Sequence, residues 1–164
     1  FPEQRSGAMR LTIACIGRLK SGPEADLIDD YLKRATASGR GLALAPCEVV
    51  EIDERKAKDP AAQSARLLEA VPSGAVTAAL DERGRTLTSP EFADLIARER
   101  DNGAPAFVFM IGGADGHDRA LRQAANHTLS FGPMVWPHML ARVMLAEQIY
   151  RAISILSGAP YHRA

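Results

Sequence analysis

Residues Ala106–Ile111 read AFVFMI, an apolar run with no polar alternation, closed by Gly112-Gly113. A strand with one face in water alternates apolar and polar residues. An unbroken run of this length predicts a strand buried on both faces. Such strands sit in mainly parallel sheets with helices on both sides, so this segment narrows the fold class more than any other. Arg10–Gly17 (RLTIACIG) and Ala75–Leu80 (AVTAAL) have the same character, and Leu42–Ile52 and Thr128–Phe131 complete five expected strands.

Helical spacing fills the intervals. Pro23 suits a first helical turn, and Leu27, Ile28, Tyr31, Leu32 and Ala35 mark an apolar face running to about Thr36. Pro60–Val71 is a second helix. Ser89, followed by Pro90 and Glu91, predicts a capped helix to about Arg100. Asp118–Asn126 is a short helix. Met139–Leu156 is a long one, ended by Gly158 and Pro160. Asp81–Gly84 reads as a turn after the third strand. The alternation predicts an α/β fold, a mainly parallel sheet with helices on both faces, in which ligands bind beyond the carboxyl ends of the strands.

The chain has 164 residues, of which 46% are hydrophobic and 24% charged. That suits one globular domain with its own core. Residues 1–8 (FPEQRSGA) are polar and aperiodic, and read as an expression-tag remnant ahead of a native start at Met9. Residues 9–164 are then a single domain. Cys15 and Cys47 lie in apolar runs without a CxxC or Cys/His neighbour, which predicts buried free thiols in a reducing cytosol rather than a disulfide, zinc or redox site. No apolar run approaches the roughly 20 residues of a membrane span.

The loops after strands three, four and five carry the candidate chemistry: Leu80-Asp81-Glu82-Arg83-Gly84, Ile111-Gly112-Gly113-Ala114-Asp115-Gly116, and Phe131 to His138 (FGPMVWPH). Glycines let backbone N–H and C=O groups approach a heterocycle closely. A Gly-Gly pair after a buried strand is by itself ordinary turn chemistry. The glycine spacing is not GxGxxG, there is no P-loop lysine, and HExxH, GxSxG and carboxylate clusters with metal-ligand spacing are missing, which disfavours dinucleotide, nucleotide-triphosphate and metal sites. His117 and His127 have no evident partners and read as surface or capping residues. The last helix is apolar on several faces, as a helix central to the core or packed on a second subunit would be. Tyr161, His162 and Arg163 could stack on a base and hold phosphate, although a terminal tripeptide is by default frayed.

The combination of LDERG, IGGADG, the Pro-His loop, HMLARVMLAEQIYRA and the terminal PYHR resembles the RlmH family, the SPOUT-class methyltransferases that modify N3 of a pseudouridine in 23S ribosomal RNA. The resemblance covers Met9 to Ala164. It implies a C-terminal trefoil knot that bends S-adenosylmethionine, a homodimer with sites near the subunit interface, and a cytoplasmic enzyme that needs no metal. Leu80, Gly112 and Gly113 would hold the cofactor, with Phe131, Gly132, Pro133, Met134, Val135, Trp136 and Pro137 wrapping it. Tyr161, His162 and Arg163 would reach the partner's cofactor, and Arg142 would contact RNA or help fix the active site. The chain departs from the family pattern in GGADG, where GGPEG or close variants are expected, and in the Trp and extra Pro of GPMVWPH.

An imide nitrogen must lose its proton to accept a methyl group, and His162 is the best candidate base in the sequence. Arg142 and Arg163 could stabilise the developing oxyanion or grip phosphate. Two further readings are a SPOUT methyltransferase with another RNA target and a non-catalytic ribosome-binding module. The 20 Lys+Arg and 20 Asp+Glu cancel, so bulk electrostatics does not hold nucleic acid here. From Met134 on, however, Arg142, Arg151 and Arg163 face Glu147 alone, which predicts local positive character, weak binding to free RNA, and useful binding to an assembled ribosomal particle.

Overall fold

The computed structural model describes residues 8–163. Five strands, β1 (Arg10–Ile16), β2 (Cys47–Ile52), β3 (Val76–Thr86), β4 (Ala106–Ile111) and β5 (His127–Ser130), form one sheet in the order β2-β1-β4-β3-β5. Every neighbouring pair is parallel. The helices are α1 (Pro23–Gly39), α2 (Pro60–Glu69), α3 (Ser89–Asp101), α4 (Arg119–Ala124) and α5 (His138–Ser157).

The apolar runs divide between two cores by simple alternation. Leu11, Ile13 and Cys15 of β1 and Phe107, Phe109 and Ile111 of β4 face one side, where α1, α3 and α5 supply Leu32, Ile96 and Ile149. Ala14 and Ile16, with Val108 and Met110, face the other, against Leu67 of α2 and Leu121 of α4. The central strand β4 is buried at every position, which is why its sequence shows no polar alternation. Phe107 and Phe109 stack at 4.4 Å on the larger core's side. Both cysteines are buried free thiols, and burial pushes Cys15 up to about 12 and Cys47 up to about 11.

Three of the differences from the sequence reading have a physical reason in the packing. The second strand starts at Cys47 rather than Leu42. Residues Arg40–Leu42 form a 3-10 turn, Ala43 is left-handed (φ 59), and Leu44 is fully buried in a loop. Burial without a period of two is thus what the run LALAP encodes. Second, Asp81–Gly84 does not end β3. Leu80 and Arg85 both align with Leu129 of β5, so residues 81–84 leave the ladder and return to it. Asp81 closes this excursion by accepting the backbone N–H of Arg83 at 2.9 Å. A Cβ on Gly84 would lie 2.6 Å from the Thr128 carbonyl carbon, so only glycine lets the returning chain press against β5. Third, the cap of α3 is Thr88, not Ser89. Thr88 and Glu91 form a reciprocal capping box.

The expected tag remnant falls on residues 1–8, of which 1–7 lie outside the described residues. Among the described residues, no helix is long and apolar enough to cross a membrane.

Candidate active site

Residues 80–83, at the excursion of β3, and the loops after β4 and β5 open on a single cleft of about 360 Å³. Small-molecule sites span roughly 300–1,000 Å³. The structure gathers here Leu80, Gly112, Gly113, Phe131, Gly132, Met134, Val135 and Trp136 of the expected cofactor residues. Pro133 and Pro137 are exposed and outside the lining. Asp81, Glu82, Arg83, Asp115 and His138 also line the cleft. The sequence reading named the loops that carry them but assigned none of the five a role, because nothing local says which neighbours of a glycine turn inward.

Each wall has a local cause. Gly116 donates its N–H to the Gly113 carbonyl at 3.0 Å, which folds the glycine loop back on itself. A Cβ on Gly112 would stand 2.9 Å from the Gly116 carbonyl carbon, a contact with backbone that cannot rotate away. Gly132 takes φ 105, and its N–H bonds the Ser130 hydroxyl at 2.9 Å, which turns the chain from β5 into the third wall. Met134 and Val135, 70% and 87% exposed, project at its tip. Asp81 anchors the first wall. Burial opposes its charge, but the backbone and side-chain bonds from Arg83 hold its carboxyl below the usual carboxylate range.

A larger cavity of about 640 Å³ adjoins the cleft, sharing Leu80, Phe131 and Gly132 with it. Its floor is apolar (Phe92, Val143 and Leu145), and Glu147 and Arg151 of α5 stand at its side. The chemistry-bearing C-terminal tail is ordered on this same helix. Tyr161 donates its hydroxyl to Glu147 at 2.7 Å, and its ring meets Tyr150 edge-on at 4.7 Å. Partial burial, then the bond to Glu147, pushes the Tyr161 phenol up. Arg151 bonds Glu147 at 2.6 Å and lies 3.1 Å from His162 Nδ1. Arg34 stacks 4.4 Å from the Tyr150 ring centroid. None of Tyr161, His162 and Arg163 lines the cleft of its own chain.

Arg142, expected to contact RNA or to help fix the active site, is too deeply buried for the first of these. Its side chain is 2% exposed, with Nη1 on Glu51 at 2.8 Å and Nη2 on the carbonyls of Ile16 and Gly17, each at 3.3 Å. Glu51 also accepts the Leu19 N–H at 2.8 Å. The guanidinium therefore rivets the start of α5 to the ends of β1 and β2. Arg142→Ala removes that rivet. The expected loss is about 2–3 kcal/mol by urea denaturation, below the roughly 3–5 of a fully buried pair, because the half-buried Glu51 can rehydrate. The positive character expected from Met134 onward is corrected with it. Arg142 serves Glu51, Arg151 serves Glu147, and Arg163 alone remains exposed.

Two histidines also have partners that the sequence hid. His127 meets Glu99 at 3.0 Å. His117 is 5% exposed, and its Nε2 lies 2.9 Å from the Met110 carbonyl. A carbonyl only accepts, so Nε2 carries the proton, and Nδ1 is left without a partner. Burial lowers the His117 pKa from its ordinary 6.5. The unfolded chain then binds a proton that the native state resists. Stability is full above about pH 7 and falls as the pH drops below the unfolded value. His117→Gln is expected to flatten this part of the profile in urea titrations between pH 7 and 5.

Among the described residues, no group of three or more His, Cys, Asp or Glu side chains could hold a metal ion. A family model described as "Predicted SPOUT methyltransferase" matches residues 9–162. A protein of Dinoroseobacter shibae named "Ribosomal RNA large subunit methyltransferase H" is 59% identical over 155 residues, 94% of this chain and 99% of that protein. Proteins of the same name from Ruegeria pomeroyi and Roseobacter denitrificans are 55% and 57% identical, with the same coverage.

Proposed function

The chain belongs to the SPOUT methyltransferase family, and from that premise we propose that it transfers a methyl group from S-adenosylmethionine to N3 of a pseudouridine in large-subunit (23S) ribosomal RNA. The observation that carries this reading is the cleft formed by the excursion of β3 and the loops after β4 and β5. The full-length likeness to proteins named for large-subunit ribosomal RNA methylation supports the substrate class. The trefoil knot that the family implies belongs to the same reading.

The cleft suits the cofactor. The turns at Gly112-Gly113 and at Gly132 bring backbone to the cleft wall with no side chain in the way, which lets a heterocycle edge approach closely without charged residues. Leu80 and Phe131 give apolar contact to the adenosine. Bound there, the cofactor supplies an electrophilic methyl on a sulfonium. The protein's task is then placement of the acceptor nitrogen in line with it, which accounts for most of the rate gain in such a displacement.

The acceptor side is the tail. Tyr161 and His162 are held on α5 of their own chain and none of Tyr161, His162 and Arg163 lines its cleft, which favours a homodimer in which each tail completes the partner's site. The exposed apolar Met134, Val135, Met139 and Leu140 at the rim and the start of α5 favour the same assembly. Arg163 would grip the nucleotide's phosphate, and His162 would face the imide proton and the adjoining oxygen. An enzyme acting on ribosomal RNA works in the cytoplasm.

The test is methylation of 50S subunits and 70S ribosomes from a strain lacking this modification, with mapping of the product base. Labelling at N3 of a single 23S pseudouridine is expected. Labelling elsewhere reassigns the target, and no labelling of any RNA points to the non-catalytic ribosome-binding module. A thermal shift with S-adenosylmethionine is expected to raise Tm, by about 2.7 kcal/mol of linkage at 100 Kd. An unmoved Tm at saturation would count against the whole reading.

A further inference from the structure

Of the C-terminal arginines, Arg142 and Arg151 are engaged by carboxylates of the same chain and Arg163 alone remains exposed, so most of the grip on the RNA backbone must come from elsewhere. We propose that the loops after β1 (17–22) and β2 (53–59) form a phosphate-binding face that holds the RNA strand flanking the target nucleotide; this deepens the ribosomal RNA reading and rests on it.

The two loops are built as one surface. Gly17 donates its N–H to the Ile52 carbonyl at 2.8 Å, and Leu19 donates to Glu51 at 2.8 Å. The buried Arg142 guanidinium ties both to α5. The face that results carries Arg18, Lys20, Lys56 and Lys58, all exposed. None of these four forms an ion pair among the described residues. The acidic residues beside them are largely committed. Asp53 accepts from the backbone and guanidinium of Arg55 at 2.9–3.2 Å, and Asp59 caps α2 through the Ala62 N–H at 2.7 Å. Glu54 and Asp59, whose capping bond leaves its charge in place, are the exposed carboxylates left between them, against four cations.

The face also abuts the cleft. Gln63 of α2 donates to the Ala57 carbonyl at 3.1 Å, and a Cβ on Gly113 would lie 2.9 Å from its Oε1. One side chain thus spans from the basic loop to the glycine wall. In the sheet, β1 lies beside β4, so the basic loops extend the row of strand ends that forms the cleft. A strand of RNA whose phosphates lie on Lys20, Lys56 and Lys58 would pass the cleft mouth within a nucleotide's reach. The chain's zero net charge keeps such a face from binding RNA at large. A few phosphate contacts give weak, salt-sensitive affinity, sufficient only when the shape of a folded particle adds to it.

The test is the triple charge reversal Lys20→Glu, Lys56→Glu, Lys58→Glu, assayed on ribosomal particles lacking the modification. At about 0.1 M salt, kcat/KM is expected to fall roughly 100-fold, carried by KM. The Kd for S-adenosylmethionine and the Tm should match the parent protein. Replacing the same lysines by Ala should make the slope of log kcat/KM against log salt shallower by about 2, near 0.7–0.9 per lost phosphate contact. Arg98→Glu, on α3 behind the opposite face of the sheet, should change neither. A triple variant with parental kcat/KM and salt slope overturns the proposal while leaving the methyltransferase reading intact. A parent protein inactive on every ribosomal particle overturns that reading itself, and this inference with it.

Discussion

Gly112→Val is expected to weaken S-adenosylmethionine binding at least about 100-fold while the fold persists, because displacement of a catalytic wall by about 1 Å is worth that much. The added side chain meets the backbone of Gly116 at 2.9–3.2 Å, and backbone cannot swing aside as a side-chain tip can. Of the two parts that collide, β4 is buried throughout, whereas Ala114 and Asp115 are exposed, so the loop yields and the strand does not. The glycine wall moves out and the Gly113 and Gly116 backbone groups lose their aim. Gly113→Ala is the contrasting case. Its Cβ meets only the Gln63 side-chain amide, which can rotate, so affinity should fall no more than a few-fold. Calorimetry with the cofactor separates the two, and a melting curve for each shows whether the fold is intact. Equal affinities for Gly112→Val and the parent would remove the glycine loop from the cofactor site.

The second large effect is recovery of activity from two inactive proteins. His162→Ala should lower turnover on ribosomes by about 100-fold or more, the scale of a group that handles a proton or a developing charge. Gly112→Val should be inactive for want of cofactor. Co-expressed at equal levels, the two should give back about a quarter of parental activity. Half of randomly paired dimers are mixed, and each mixed dimer has one intact cleft served by one intact tail. The structural ground is that the tail is pinned to Glu147 and Arg151 of its own α5, and none of its residues lines its own cleft. If each tail served its own cleft, every mixed dimer would be dead, and recovery would be nil. Light scattering on the parent gives an independent answer, since a monomer would exclude the shared site.

Much of the fold was legible in the chain because its strands are locally encoded. AFVFMI has no polar position, so it can only sit between two apolar layers, and it is the central strand. Pro23, Pro60 and Pro90 each mark a first helical turn. Where legibility failed, the local signal had two meanings. Of the apolar run LALAP only Leu44 is buried, and it is buried in a loop that ends in Pro46 rather than on a strand. The residues DERG look like a strand's end, but lead an excursion that returns to the same partner residue, Leu129. In the candidate site, the three motif segments line one cleft as expected, while Asp81, Glu82, Arg83, Asp115 and His138 within them were given no role in it by the sequence.

The sequence by itself determined the class of sheet, the strand ends at which a site could open, and the glycines that could bare the backbone there. All of these follow from patterns a few residues long: burial on one face or two, caps, and turn-forming residues. Only the tertiary structure decided which charges are available. Arg142 stands 91 residues from Glu51 in the chain and meets it at 2.8 Å. That one contact makes a buried rivet of an arginine for which the sequence left both an RNA contact and a part in fixing the active site open. Lysines scattered over two loops, by contrast, become one exposed face. A charge's use depends on the partner it finds and the water it keeps, and both are set by contacts between distant parts of the chain.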